Sequence, residues 1–436
     1  MNILNNPINT FSFLDIAQFC EEGLIEGVQL DYKRELPAKG LAKHFASFSN
    51  TRGGLLIIGV EEDPKTGKPV AWEGISYDAK LVDRIHQYAT SVEPRPAYDV
   101  HVTDVQREKV FILVRVFEGD RTPYYVQNDA NLYIRTGNIT DPISLASPEA
   151  AELLFGKKTK ADLARQNYVS RTTEIFAAAT KRADKDRLQA IAFEKEKWKR
   201  EQQPGSNEVF STTYPTDPLG TNSAMCTILF QPFFPKAVLS TPQEFLAKAD
   251  QFRVVGRNQE RFPGLNLKPI QDGVLDYEWG RSGYIRCQQL YATGLLYDSA
   301  HVLRIMKGGI KVIHLTTVAT QLLMLLKAAS NLYQLFCYQG GLKGFLRLEN
   351  IEGAIIYPVI PEGYHLEPFF FEDKQGTLLS KYEWELELDT AILHDPMSRQ
   401  LFFIEKIKEL YWTLGYETIQ SGIIEKFLEG YGWLVK

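Results

Sequence analysis

Hydrophobic and polar positions along the first 150 residues change period several times. From Phe11 to Glu22 the apolar residues Phe13, Leu14, Ile16, Ala17 and Phe19 recur at helical spacing. The stretch GVQLDYKREL then alternates, with Val28, Leu30 and Tyr32 on one face and Gln29, Asp31 and Lys33 on the other. That pattern predicts a half-buried strand whose polar face carries charge. Leu41, Phe45 and Phe48 return to helical spacing over Leu41–Ser49. The run Asn50-Thr-Arg-Gly-Gly54 breaks the helix, and LLIIGV follows as an unbroken apolar run of the kind central strands carry. Asp63-Pro-Lys-Thr-Gly67 has turn chemistry. A second amphipathic helix is expected over Leu81–Ser91, and strands over Tyr98–Val105, Val110–Phe117 and Asn131–Arg135. This order predicts an α+β domain, a mixed sheet with helices, over residues 1–156.

Beyond it the pattern changes. Residues 157–207 hold few helix breakers and much charge, with 13 Lys or Arg against 6 Asp or Glu between Lys157 and Arg200. A charged helical connector with one packed and one wet face is expected. Gln203-Pro-Gly-Ser-Asn207 and Pro215-Thr-Asp-Pro-Leu-Gly220 mark a boundary. Residues 208–436 read as a second α+β domain. Its expected strands are Met225–Gln231, Gly283–Ala292 and Gly353–Val359; its expected helices include Pro242–Asp250, Leu315–Ala329, Gln400–Leu414 and Ile419–Tyr431.

Composition narrows the class. With 44% hydrophobic and 24% charged residues the chain is globular, and its 436 residues suit two or three domains. A net charge of -5 argues against a polycation that coats nucleic acid, but not against a local basic groove. The four cysteines, Cys20, Cys226, Cys287 and Cys337, are widely separated and lack CxxC spacing, which suits reduced thiols in the cytoplasm. The N-terminus has no basic segment leading into an apolar one, so no secretory signal is read there. The apolar stretch Val312–Ala329 carries His314, Thr316, Thr317, Thr320, Gln321 and Lys327, so a buried helix is expected and not a membrane span.

Three features carry candidate chemistry. Asp31 and Lys33 share one face of a strand, Glu26 precedes it, and Glu61 and Glu62 follow the LLIIGV strand. If the strands are neighbours, three carboxylates and a lysine meet at one sheet edge. Clustered carboxylates need a cation or a shared proton, and Mg²⁺ or Mn²⁺ suits oxygen ligands. By spacing alone, solvated charges beside strands are the simpler account. Asn50-Thr51-Arg52-Gly53-Gly54 offers backbone N–H groups, a hydroxyl and a cation to a phosphate. A helix stop followed by a tight turn explains the same residues. The third, Tyr133-Ile-Arg135-Thr-Gly-Asn138-Ile-Thr140, puts polar donors at a strand end, where an ordinary turn also fits. There is no GxxxxGK[ST] loop, which leaves ATP binding as a third-ranked reading.

Taken together and in order, GVQLDYKREL, LAKHFASFSNTRGGLLIIGVEED, EGDRTPYY and LYIRTGNITDP resemble the Schlafen AlbA_2 domain family, over about Gly23 to Phe155. The resemblance implies a metal-dependent acidic trio and a lysine. Glu26 matches the first acid, Asp31 the second (where the family often has Glu), Glu62 the third and Lys33 the lysine, with Glu61 or Asp63 replacing Glu62 if the register differs. The implied ligands of Mg²⁺ or Mn²⁺ are Glu26, Asp31 and Glu62. The implied nucleic-acid contacts are Lys33, Arg34, Asn50, Thr51, Arg52, Gly53, Gly54, Arg135 and Asn138.

The resemblance further implies an endoribonuclease acting on tRNA or other structured RNA, in a bacterial defence setting. A non-catalytic module binding RNA or DNA is the alternative. Schlafen cores enclose substrate between two such lobes, so a single-lobe chain is expected to pair as a homodimer. No winged helix is evident near the C-terminus, and residues 208–436 resemble no family.

Overall fold

The computed structural model describes residues 8–37, 40–119, 121–136, 139–144, 151–201, 224–232, 239–256, 259–281, 283–305, 311–336, 338, 340–357, 376–415 and 421–435. The fold is α+β, in two compact units, Met1–Ala164 and Arg165–Lys436.

In the first unit a four-stranded mixed sheet takes β1 (Leu30–Lys33), β2 (Gly54–Ile58), β6 (Tyr98–Val102) and β7 (Ile112–Val116), ordered β1-β2-β7-β6. β1 and β2 run parallel, with Asp31 opposite Leu56 and Lys33 opposite Ile58; the other pairings are antiparallel. Parallel neighbours need a crossover, and α2 (Leu41–Asn50) supplies it. Every side chain from Leu55 to Ile58 is buried, because both faces of β2 are covered. On one face Leu30, Tyr32, Leu55, Ile57 and Leu113 pack with Ile16 and Phe19 of α1 (Phe13–Glu21), which opens on a capping box between Ser12 and Asp15. On the other, Leu56, Ile58 and Val114 pack with α2 and with α3 (Leu81–Thr90).

Two further sets of strands complete the unit. After β2 the chain forms a short antiparallel pair, β3 (Glu61–Glu62) with β4 (Pro69–Ala71). A second, antiparallel sheet has the order β10-β9-β8-β5, from β5 (Val92–Glu93), β8 (Tyr125–Val126), β9 (Asn131–Thr136) and β10 (Ile139–Ser144). Tyr124 and Tyr133 from this region join the α2 core. The polar side of β1 therefore faces α2 and β9, which sets the burial of Asp31 described below.

The long helix α4 spans Gly156–Glu201. Within the second unit, its Tyr168, Val169, Phe176 and Ala179 pack on Leu229, Cys287, Tyr291 and Tyr297 of a seven-stranded antiparallel sheet. That sheet runs β12-β13-β14-β15-β11-β16-β17, from β11 (Met225–Pro232), β12 (Lys268–Ile270), β13 (Gly273–Trp279), β14 (Ile285–Tyr291), β15 (Leu296–His301), β16 (Gly341–Glu349) and β17 (Lys381–Asp389). Helices α5 (Pro242–Phe252) and α6 (Leu315–Leu335) join its main hydrophobic core, and α7 (Pro396–Thr413) and α8 (Ser421–Gly430) pack there as well. The apolar stretch expected to be a buried helix divides into a strand, Lys311–His314, and α6. No described helix is long and apolar enough to cross a membrane. The boundary turns Gln203–Asn207 and Pro215–Gly220, and Cys337, lie outside the described residues.

Candidate functional site

β1 delivers Asp31 and Lys33 to the side that α2 and β9 cover. Asp31 is 1% exposed. Its Oδ1 accepts from Lys33 Nζ at 2.5 Å, and its Oδ2 accepts from a guanidinium N–H of Arg135 on β9. His44 Nδ1, from α2, lies 3.2 Å from the same Oδ2. Burial alone would raise the Asp31 carboxyl. The neighbouring His44, Lys33 and Arg135 outweigh it, and hold Asp31 well below the usual carboxylate range.

Glu26 lies beside this cluster. Its backbone N–H donates to Gly67 O at 2.8 Å, so the turn Asp63–Gly67 seats it, and Asp63 is spent within that turn on Lys65 N and Thr66 Oγ1. Glu26 is 8% exposed, and its Oε1 accepts the Tyr32 N–H at 2.6 Å. Burial, a hydrogen bond with the Glu62 carboxyl and the charge of Asp31 push Glu26 up to about 9. Glu26 therefore holds its proton at neutral pH. Lys33 Nζ stands 3.7 Å from Glu62 Oε1, while Glu61 turns outward to Arg34 at 3.4 Å. The register places Glu62, and not Glu61 or Asp63, in the cluster.

The expected three-acid convergence is thus realised in part. Glu26 and Glu62 face each other, but both oxygens of Asp31 are taken by cations. Among the described residues no group of three His, Cys, Asp or Glu side chains is placed to hold an ion. The donor set does fit a divalent cation at the Glu26–Glu62 pair. Lys33 and Arg135 offset two of the three carboxyl charges, and burial keeps the third, Glu26, protonated. Mg²⁺ commonly takes one or two carboxylates and completes its shell with water and substrate phosphates.

The expected nucleic-acid contacts divide by burial. Lys33 is 26% exposed, Arg34 is 71% exposed and Arg52 faces solvent. Asn50 does not. It is buried, its Nδ2 donates to Tyr124 O and Tyr133 O at 2.7 and 3.0 Å, and its Oδ1 accepts from Tyr124 N at 2.7 Å. It clamps the second sheet to α2 and keeps no donor for a ligand. Arg135 is likewise inside, its side chain 1% exposed, bonded to Asp31 and Gly27 O and stacked 5.0 Å from the Phe48 ring. Thr51 spends its hydroxyl on Ser47 O and Arg135 N.

The two glycines serve packing. At Gly53, φ is +66° and a Cβ would stand 2.8 Å from Val116 O and Glu118 N; at Gly54 it would strike the Phe48 ring at 2.3 Å. Asn138 lies outside the described residues.

Two participants went unread in the sequence. His44 sits on the Leu41–Phe45–Phe48 stripe, three residues after Leu41 and four before Phe48, which was the available signal. Lys157, at the start of α4, donates to Thr51 O at 2.8 Å and pairs with Glu118 at 2.5 Å, so it props the glycine turn. No pattern in the sequence pointed to that contact.

A search against family models matches residues 26–144 to the Schlafen AlbA_2 family, from the first acid of the cluster to the last residue of β10. A domain of this family points to a nucleic-acid-related function. No curated protein matches the chain.

Proposed function

With residues 26–144 forming a Schlafen AlbA_2 domain, we propose that the chain is a metal-dependent nuclease, an endoribonuclease acting on tRNA or other structured RNA. The observation that carries this reading is the buried, proton-holding Glu26 with half-buried Glu62 and Lys33 beside it. Glu26 and Glu62 are the ligands proposed for Mg²⁺ or Mn²⁺. When bound there, the ion supplies polarisation of a phosphodiester and acidification of an attacking water or hydroxyl. Asp31 positions Lys33, and Lys33 stabilises charge that grows on the phosphate. Arg135 and His44 hold Asp31 in turn, so the lysine sits on a fixed base. Arg34 and Arg52 offer charge to the RNA backbone.

The test is cleavage of tRNA by the purified full chain with MnCl₂ or MgCl₂, read on a denaturing gel. Glu26→Gln and Glu62→Gln should each slow cutting by about 100-fold or more, the scale of losing one preorganised charge contact. Cutting that survives both changes sinks the reading.

The exposed Arg34 and Arg52 also support a non-catalytic module that binds RNA or DNA. Its sign would be salt-dependent binding without turnover, insensitive to the two glutamates. A homodimer is proposed for either case, since a second copy supplies the other lobe around a folded RNA; a single-chain mass by light scattering at micromolar concentration contradicts it.

A further inference from the structure

The second unit contains a cavity of about 210 Å³ whose lining is apolar on one side and cationic on the other. Leu323 and Lys327 come from α6, Arg399 and Gln400 from the first turns of α7, and Leu428 from α8. The segment after α8 closes it with Trp433, Leu434 and Val435. This wall is fixed in place: Trp433 N–H donates to Leu428 O at 2.9 Å and Val435 N–H to Gln400 Oε1 at 2.7 Å.

The cations are the unusual part. Lys327 and Arg399 are both half-buried, and among the described residues no acid lines the cavity and neither forms an ion pair. Arg399 donates to Leu393 O at 2.6 Å and to Ser330 Oγ at 3.1 Å, which fixes its guanidinium without neutralising it. Lys327 Nζ lies 4.6 Å from the centre of the Trp433 ring, a contact that orients the ammonium and leaves its charge in place. The nearest acid, Asp395 at the N-cap of α7, accepts from Ser398 N at 2.7 Å and acts on Arg399 from outside the cavity lining. Burial lowers the proton affinity of Lys327, and so does the neighbouring Arg399. Lys327, without an acidic neighbour among the described residues, and Arg399, with only the exposed Asp395 near it, are costly in one partly dry space unless an anion joins them.

We propose that this cavity binds a small organic anion, with its carboxylate or phosphate head between Lys327 and Arg399 and a short apolar body against Leu323, Leu428 and Trp433. Its volume is below the roughly 300–1,000 Å³ of sites for larger ligands, so the occupant is small. The site lies wholly in the second unit and does not depend on the nuclease reading.

Calorimetric titration of the full chain with phenyl phosphate, phenylacetate, inorganic phosphate and benzyl alcohol tests it. At least one of the two aromatic anions should bind with a Kd below about 1 mM, and the tighter of them identifies the preferred head. Benzyl alcohol and inorganic phosphate should each bind about tenfold more weakly or worse, since each lacks half of the recognised chemistry. Lys327→Met should weaken the aromatic anion about tenfold and raise the melting temperature of the ligand-free chain, because it removes one of two repelling charges. Failure of both aromatic anions to bind, equal binding of inorganic phosphate, or binding indifferent to Lys327→Met overturns the proposal.

Discussion

Replacing Glu26 by glutamine keeps the shape of a protonated carboxyl and a hydrogen-bond donor while removing its ability to ionise. In the folded chain burial, the Glu62 hydrogen bond and the Asp31 charge move Glu26 from its ordinary 4.5 up to about 9. An acid whose affinity for its proton rises on folding stabilises the fold fully below about 4.5, and loses that contribution as pH climbs toward about 9. At about 1.4 kcal/mol for each factor of ten in proton affinity, the ceiling is roughly 6 kcal/mol. The expected loss between pH 5 and 9 is on the order of 3 kcal/mol, within that ceiling.

Two compact units need not unfold in one transition, so the first must be followed by itself. Trp72 is the one tryptophan of residues 1–164, and a fluorinated label there reports that unit by ¹⁹F NMR during urea titration. The wild-type midpoint should fall as pH rises from 5 to 9, and the Glu26→Gln midpoint should be nearly flat. Added MnCl₂ should restore the wild type at pH 8 by binding the ionised pair, and leave Glu26→Gln unchanged. Equal pH slopes in the two proteins would refute the proton on Glu26. A flattened slope with no response to Mn²⁺ would keep the proton and remove the metal.

The same label reads two further substitutions. Asp31→Asn leaves Arg135 and Lys33 without their anion and should cost the first unit about 3–5 kcal/mol; a cost below about 1 kcal/mol would contradict it. Because Asp31 is held below its ordinary 3.8, wild type should lose this contribution only as pH falls through and below about 4, and the variant should lack that acid phase. Gly54→Ala drives a methyl into the Phe48 ring and should destabilise by about 1–3 kcal/mol, while a neutral outcome would reopen the turn as a ligand cradle. Arg52→Ala should leave stability within about 0.5 kcal/mol of wild type and lower the salt slope of RNA binding by about one, measured by fluorescence anisotropy. An unchanged slope would remove Arg52 from the interface.

Alternation in GVQLDYKREL correctly separated Leu30 and Tyr32 from Asp31 and Lys33, yet it did not tell what covers the polar side. Arg135 arrives from 104 residues away and His44 from the next helix, so the depth of Asp31 is a non-local property. The same limit misassigned Asn50 and Arg135. Both are residue types that bind phosphate when exposed, and only the second sheet, packed on α2, turns them inward.

In the second unit the difficulty differs from strand to strand. β16 and β17 alternate plainly, burying Leu342, Leu346 and Leu348, and Trp384, Leu386 and Leu388, and were legible though unread. β14, expected as a strand over Gly283–Ala292, is buried throughout although it carries Arg286, Gln288 and Gln289. Each is satisfied at a distance: Arg286 on Asp298 at 2.7 Å, Gln288 between Gly264 N and Arg261 O, Gln289 on Thr172 O at 2.9 Å. Hydrophobic period reports which side of an element is dry only where burial is apolar. Where burial is polar, the partners decide. In this chain the candidate catalytic acids belong to that second kind: motif order locates them, and their protonation follows from neighbours that the order does not specify.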